Sequence, residues 1–256
     1  MSGGLPQAAA ALARIRIVLV RTRHPGNIGA AARAMKTMGL RELWLVSPER
    51  FPDREATTRA AGASDLLDAA HVCSTLDEAL AGTTFALALT ARRRDIGPPP
   101  VDPRESGRLA FAQAASGGEV AIVFGNEVYG LENADVLKCH RVAHIPTDPD
   151  FSSLNLGAAV QVVAYETRMA ALDGEAGAEA GPAAATHEEV ERFYSHLEAS
   201  LLASGFLMPA HPKRLIERLR RLFGRARLEH EEVSILRGML TAWDAPHPPQ
   251  KPTEGG

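Results

Sequence analysis

The chain of 256 residues lacks the features that mark disulfide-bonded, metal-binding or membrane-spanning proteins. It has two cysteines, Cys73 and Cys139, without CxxC spacing, so neither a metal site nor a disulfide framework is indicated. We expect both to be reduced packing residues in the cytosol. No apolar run approaches the roughly 18 residues of a transmembrane helix, and residues 1–13 lack the basic start of a signal peptide. These absences predict a cytoplasmic protein without a membrane partner.

Several catalytic signatures are also missing from the sequence. There is no zinc-ligand spacing, no P-loop and no GxSxG elbow. The first β-α turn contains Gly26 and Gly29 with Asn27 between them, but not the GxGxxG of dinucleotide-binding proteins. This disfavours a dinucleotide-dependent oxidoreductase, although the chain begins β-α-β.

The hydrophobic pattern predicts a parallel α/β domain, with 45% hydrophobic and 23% charged residues overall. Short β-branched or apolar runs predict buried strands at 15–20, 43–46, 72–74, 85–91, 119–124 and 141–146. Helical segments alternate with them, which implies right-handed crossovers. Two segments that carry prolines, residues 47–59 and 98–103, are expected to be loops. In such open sheets, ligand-binding groups collect where the strands end.

We expect five segments along the chain. A disordered tail over 1–12 precedes the catalytic domain over 13–172. A Gly-, Ala- and Glu-rich stretch over 173–186 has no bulky apolar residue, which is typical of a flexible linker. Apolar residues at helical spacing predict a small helical domain over 187–245, and a disordered tail over 246–256 follows.

The net charge of −3 hides an acidic segment over 173–191 and a basic one over 213–227. Clustered cations of this kind form a nucleic-acid footprint even on an acidic protein. The candidate RNA-binding residues are Arg21, Arg23, Arg92, Arg93, Arg94, Lys213, Arg214, Arg218, Arg220 and Arg221. A non-catalytic RNA-binding protein would explain the basic helices equally well.

Three motifs carry a family resemblance. The first runs from His24 to Met35, and in it Asn27 is placed to cap a helix over 28–38. The second is Phe124-Gly125-Asn126-Glu127. The third comprises Ile145-Pro146 and Ser152 to Gly157, with Ser152 and Ser153 as expected N-caps. Together they resemble the motifs of the SPOUT RNA methyltransferases, in the TrmJ branch of tRNA ribose 2′-O-methyltransferases.

The resemblance implies a site, a cofactor and a reaction. The implied catalytic residues are Asn27, Arg33, Glu127, Ser153 and Asn155, a set that a pure RNA-binding protein does not need. The implied S-adenosylmethionine pocket comprises Leu89, Thr90, Ala91, Gly125, Ile145, Ser152, Ser153 and Leu154, and no metal is required. The implied reaction is 2′-O-methylation of cytidine or uridine 32 in tRNA; another tRNA position or rRNA is the alternative.

The resemblance also implies a trefoil knot in the C-terminal part of the catalytic domain, and a homodimer. The helices predicted over 154–169 and 28–38 are apolar almost all round, so a two-fold dimer could bury their surplus faces. The alternative is that one subunit covers both helices completely.

Overall fold

A computed structural model of the chain describes residues 4–92, 95–174, 183–210 and 213–245. It contains a seven-stranded sheet in the order β3-β2-β1-β6-β4-β7-β5. Every neighbouring pair of strands is parallel, which confirms the predicted α/β class. The strands are β1 (Ile15–Val20), β2 (Glu42–Val46), β3 (His71–Cys73), β4 (Phe85–Leu89), β5 (Pro100–Val101), β6 (Val120–Phe124) and β7 (Arg141–Ala143).

The described helices are α1 (Gly4–Leu12), α2 (Pro25–Met38), α3 (Arg54–Ala60), α4 (Ser64–Asp68), α5 (Leu76–Leu80), α6 (Pro103–Ala115), α7 (Asn133–Val136), α8 (Leu156–Asp173), α9 (His187–Ala203), α10 (Leu215–Ala226) and α11 (His230–Asp244). Among the described residues, no helix combines the length and apolarity needed to cross a membrane.

Helices cover both faces of the sheet, so the central strands are apolar on both sides. Alternate residues of β1 point to opposite faces: Ile17 packs in the cluster with Met35 of α2 and Val160 of α8, while Val18 packs in the cluster with Leu80 of α5. Helix α8 packs against both α2 and α6. This packing brings the start of α8 beside the start of α2.

The C-terminal helices form their own core and dock on the amino end of β4. Phe193, Tyr194, Val233 and Leu240 are buried together. The His187 N–H donates to the Thr83 carbonyl over 2.9 Å, and the His187 Nε2 lies 2.8 Å from an Asp77 carboxylate oxygen. The helical domain is therefore held against the catalytic domain by directed polar contacts.

Four segments differ from the sequence-based expectation. Residues 4–12, expected to be a disordered tail, form α1, because Leu12 is buried in the main core. Residues 183–186 are not linker, since the Ala185 side chain is buried with the C-terminal helices.

The 47–59 region, expected to be a loop, contains α3, capped by the Asp53 side chain. The proline-rich loop contributes the short edge strand β5, which pairs with β7. Three ranges lie outside the described residues: 1–3 of the expected N-terminal tail, 175–182 of the expected linker, and the expected C-terminal tail 246–256.

Candidate active site

The carboxyl ends of β4, β6 and β7 surround a cavity of about 340 Å³. This volume lies in the range of roughly 300–1,000 Å³ that is usual for small-molecule sites. The segments after β4 and β6 line it together with residues before and within the first turn of α8. All eight residues of the expected cofactor pocket lie on its wall: Leu89, Thr90, Ala91, Gly125, Ile145, Ser152, Ser153 and Leu154. The structure thus brings four separate stretches of sequence to one cavity.

Glu127, on the same wall, is held by three hydrogen bonds. Its Oε1 accepts from Asn27 Nδ2 over 2.7 Å and from the His24 N–H over 3.2 Å, and its Oε2 accepts from the Arg23 N–H over 3.0 Å. Burial by itself would raise the pKa of Glu127, but the Asn27 amide and these backbone donors outweigh it and lower the pKa. The carboxylate is therefore charged at neutral pH and fixed in orientation.

Asn27 does not cap α2, contrary to the sequence-based prediction. The helix begins at Pro25, with His24 at the N-cap position, so Asn27 lies inside the first turn. Its side chain donates to Glu127 and accepts from Asn155 Nδ2 over 2.8 Å. Both ends of the amide are thus used to connect the second and third motifs.

Asn155 is the actual cap of α8, which begins two residues later than the predicted start at Leu154. Its Oδ1 accepts from the N–H groups of Gly157 over 2.9 Å and Ala158 over 3.3 Å. Because Nδ2 remains for Asn27, one asparagine both starts the helix and closes the polar chain. Ser152 and Ser153 lie before the cap and line the cavity instead.

Asn126 builds the turn that forms one wall of the cavity. Its Oδ1 accepts from the N–H groups of Val128 over 2.9 Å and Tyr129 over 2.7 Å. A Cβ on Gly125 would come within 2.1 Å of the Gly130 carbonyl carbon, so only glycine fits there. Asn126 is not among the site residues predicted from the sequence, although an asparagine after a turn glycine is typical of such side-chain-stabilised turns.

Arg33 lies apart from this polar chain. It lies six positions beyond Asn27, about 9 Å along the α2 axis. Its side chain is exposed and makes no hydrogen bond or ion pair with the part of the chain that the structure describes. Arg33 is therefore available to an external anion, but it does not line the cavity.

Four of the expected RNA-binding arginines are already paired with carboxylates. Arg21 contacts Asp135, and Glu132 at 3.4 Å, while Arg23 donates to Glu49 over 2.9 Å. Arg214 Nε lies 3.7 Å from a Glu217 carboxylate oxygen. These carboxylates offset the positive charge of the arginines, and the RNA contacts of Arg21 and Arg23 stay a prediction.

Arg220 is the fourth arginine in this group, and it points inward, contrary to prediction. It makes two hydrogen bonds to Glu191, of 2.6 and 2.7 Å, and stacks on the Tyr194 ring. Five cations of the predicted set are exposed, and of these Arg214 is paired as described: Arg92, Lys213, Arg214, Arg218 and Arg221. Arg93 and Arg94 lie outside the described residues.

No group of three or more His, Cys, Asp or Glu residues among those described is arranged to hold a metal ion. The cavity combines apolar side chains from Leu89, Ile145 and Leu156 with hydroxyl groups and turn backbone. That composition fits a mixed ligand with an apolar ring and several hydrogen-bonding groups, as S-adenosylmethionine is.

Comparison with known proteins adds the family. Residues 14–165 match the SpoU rRNA Methylase family, and residues 188–253 match the tRNA methyltransferase TrmJ C-terminal domain. The chain belongs to the TrmJ branch of the SpoU methylases. The resemblance found from the motifs is thereby confirmed over both parts of the protein.

Individual relatives match over nearly the whole chain. The TrmJ protein of Pseudomonas aeruginosa strain UCBPP-PA14, a tRNA (cytidine/uridine/adenosine-2′-O-)-methyltransferase, is 50% identical over 90% of this chain and 93% of its own length. The TrmJ of Escherichia coli K12, a tRNA (cytidine/uridine-2′-O-)-methyltransferase, is 50% identical over 90% of this chain and 95% of its own. The crystal structure of TrmJ from Zymomonas mobilis ZM4 has a TM-score of 0.80 at 34% identity, covering 90% of this chain and 99% of that one.

Proposed function

We propose that this protein transfers a methyl group from S-adenosylmethionine to the ribose 2′-oxygen of a tRNA nucleotide. The observation that carries the proposal is the chain Glu127–Asn27–Asn155, which joins all three motifs beside a cavity of suitable size. Two relatives of 50% identity are named for this reaction.

The residues around the cavity would hold the methyl donor, which supplies an electrophilic sulfonium methyl group. The backbone after β4 and β6 and the Ser152–Leu154 segment would contact it. The protein's own contribution is positioning, which can supply about 7–11 kcal/mol of rate acceleration in favourable intramolecular models. The fully hydrogen-bonded Glu127–Asn27–Asn155 chain suits that task, because none of its members can rotate without breaking a bond.

Arg33 would act on the RNA and not as a proton acceptor. An arginine pKa of about 12.5–13.8 leaves almost no neutral form at physiological pH. Its exposed guanidinium suits a two-point contact with the phosphate of the target nucleotide and stabilisation of the developing 2′-alkoxide. Ser153, exposed on the cavity wall, would complete the catalytic set.

The target position and base rest on the resemblance to the TrmJ branch. We place the target at nucleotide 32, where the anticodon loop begins, with cytidine or uridine as the base. The exposed cations of α10 and Arg92 would contact the RNA backbone. The trefoil knot remains a prediction of the same kind, and the tight Gly125–Gly130 turn and the close α2–α8 contact at Gly157 are compatible with it.

The active unit would be a homodimer. Helix α8 buries one face inside the subunit, but its residues at helical spacing on the other side remain at least partly exposed: Ala158, Val162, Tyr165, Met169 and Leu172. Tyr165 is 49% and Leu172 is 54% exposed. Because this apolar stripe begins beside Asn155, a second copy related by a two-fold axis would cover it next to the active site.

Nuclease digestion and mass spectrometry of tRNA from cells lacking the protein test the function. We expect loss of 2′-O-methylation at nucleotide 32 and its return with the wild-type gene but not with Arg33→Lys. Unchanged ribose methylation in all tRNA and rRNA would reject the proposal. A loss at another tRNA nucleotide or in rRNA would instead support the alternative substrate.

A further inference from the structure

A second cavity, of about 380 Å³, lies next to the donor cavity, because Thr90 and Arg92 line both. Its other lining residues include the apolar Pro98, Val136 and Val142, and His144 is its aromatic polar residue. No role assigned above involves these four residues.

His144 gives the second cavity a defined hydrogen-bonding character. Its Nδ1 lies 3.2 Å from the carbonyl oxygen of Thr90. A carbonyl oxygen only accepts hydrogen bonds, so a neutral imidazole must carry its proton on Nδ1 in this contact. The Nε2 atom is then an acceptor on a side chain that lines the cavity together with Pro98, Val136 and Val142.

We infer that the second cavity holds a nucleobase with an exocyclic amino group, cytosine or adenine, from the bound RNA. The apolar side chains of Pro98, Val136 and Val142 would pack against the ring. His144 Nε2 would accept a hydrogen bond from the amino group. Exposed Arg92, at the boundary of the two cavities, would face the phosphate that connects the two nucleotides. This inference rests on the proposed function, because it takes RNA to be the substrate.

The base would belong to a neighbour of the methylated nucleotide. Glu127 follows β6, whereas the second cavity lies at β7 and β5, two and three strands along the sheet order. Two strand spacings are about 10 Å, which is too far for a base attached to the reacting ribose. The second cavity would therefore select sequence context next to the target.

The test uses His144→Asn in the whole chain. Asparagine can keep a donor near the position of Nδ1 and so preserve the bond to Thr90, but it has no group at the position of Nε2. We expect His144→Asn to raise the KM for tRNA about 3–10-fold, as for one lost hydrogen bond, with an unchanged Kd for S-adenosylmethionine. His71→Asn, on the distant edge strand β3, is the matched control and should leave both constants unchanged.

A second arm uses tRNAs in which each cytidine or adenosine flanking the target is replaced, one at a time, by an analogue without the amino group. At one of these positions the analogue should raise the KM of the wild type by the same factor of about 3–10. The KM of His144→Asn should not rise further with that analogue. An unchanged KM in His144→Asn, or additive losses at every position, would overturn the inference. A weaker donor Kd would assign the cavity to the donor and also overturn it. If the wild type methylates no tRNA, the proposed function itself fails.

Discussion

Asn155 donates a hydrogen bond of 2.8 Å to the side-chain oxygen of Asn27, 128 positions earlier in the chain. The bond joins the first turns of α2 and α8, and through Asn27 it reaches Glu127 at the end of β6. Three loops that could move separately are thereby fixed relative to one another. The site is organised by this chain of amides more than by any charged pair.

Asn27→Ala should lower kcat by roughly tenfold or more, because both the donor to Glu127 and the acceptor for Asn155 are lost. Without the Asn27 amide, burial of Glu127 is opposed by fewer hydrogen bonds, so the Glu127 pKa should rise. If the carboxylate must be ionised, the acidic limb of the pH–rate profile moves to higher pH. An unchanged kcat and profile would contradict this role.

Arg33→Lys should lose most methyl-transfer activity but keep its affinity for S-adenosylmethionine. Lysine retains the charge but lacks the two-pronged geometry that binds a phosphate. Calorimetry with the donor and transfer of labelled methyl to tRNA separate the two effects. Lys36→Arg, on the same helix in an exposed ion pair with Asp65, is the matched control. Full activity of Arg33→Lys would refute the proposed phosphate contact.

Gly157→Ala should destabilise the protein by about 1–3 kcal/mol, as overpacking usually does. The added methyl group would lie 2.7 Å from the Ala30 Cβ, where α2 and α8 cross. Gly238→Ala is the matched control, because nothing lies within 4 Å of its Cβ position in the interior of α11. The control should be neutral or up to about 1 kcal/mol more stable in denaturant unfolding. Equal stability of the two variants would show that the α2–α8 contact can relax.

Asp77→Asn should weaken the docking of the C-terminal helices. Burial alone would raise the Asp77 pKa, but hydrogen bonds from Lys138 and His187 outweigh it and lower the pKa. A carboxyl whose pKa is lowered by folding stabilises the folded state at pH values above its ordinary pKa of 3.8. That stabilisation disappears as the pH falls further. Asp77→Asn should therefore lower Tm at pH 7, and this difference from the wild type should shrink as the pH falls below 3.8. The control is Asp65→Asn, which removes the exposed ion pair with Lys36 and should change Tm much less.

Tyr165→Glu should produce a monomer in light scattering, because it places a charge in the centre of the α8 stripe.

Sharing of sites is tested by mixing Arg33→Lys with a variant whose exposed cations Lys213, Arg214, Arg218 and Arg221 are changed to glutamine. If these cations serve the partner's site, subunit exchange should restore roughly a quarter of the activity, since half the dimers then hold one intact site. A fully active monomer would rule out the arrangement.

The central sheet and the residues at its carboxyl edge could be predicted from the sequence, because both depend on local patterns. Buried strands are continuous apolar runs, and turn glycines such as Gly125 follow them directly. The predicted capping role of Asn27 is wrong because capping was inferred from neighbouring residues alone. The actual partners of Asn27 lie 100 and 128 positions away in the chain.

The cations show the same limit of sequence analysis. The sequence predicts that Arg21 and Arg220 face RNA because it gives no sign that a carboxylate distant in the chain pairs with either. Asp135 lies 114 positions from Arg21, and Glu191 lies 29 positions from Arg220. The short β5 was missed because a proline-rich segment rarely forms a strand, and it does so here only at the sheet edge.

Strand β4 separates the two regions that would handle the substrate. The donor cavity adjoins its last residue, Leu89, while Arg227 of the helical domain stacks on its first, Phe85. Five residues of strand span about 16 Å. An RNA that contacts both the donor cavity and the helical domain of one subunit must therefore extend at least this far along the flank of the sheet.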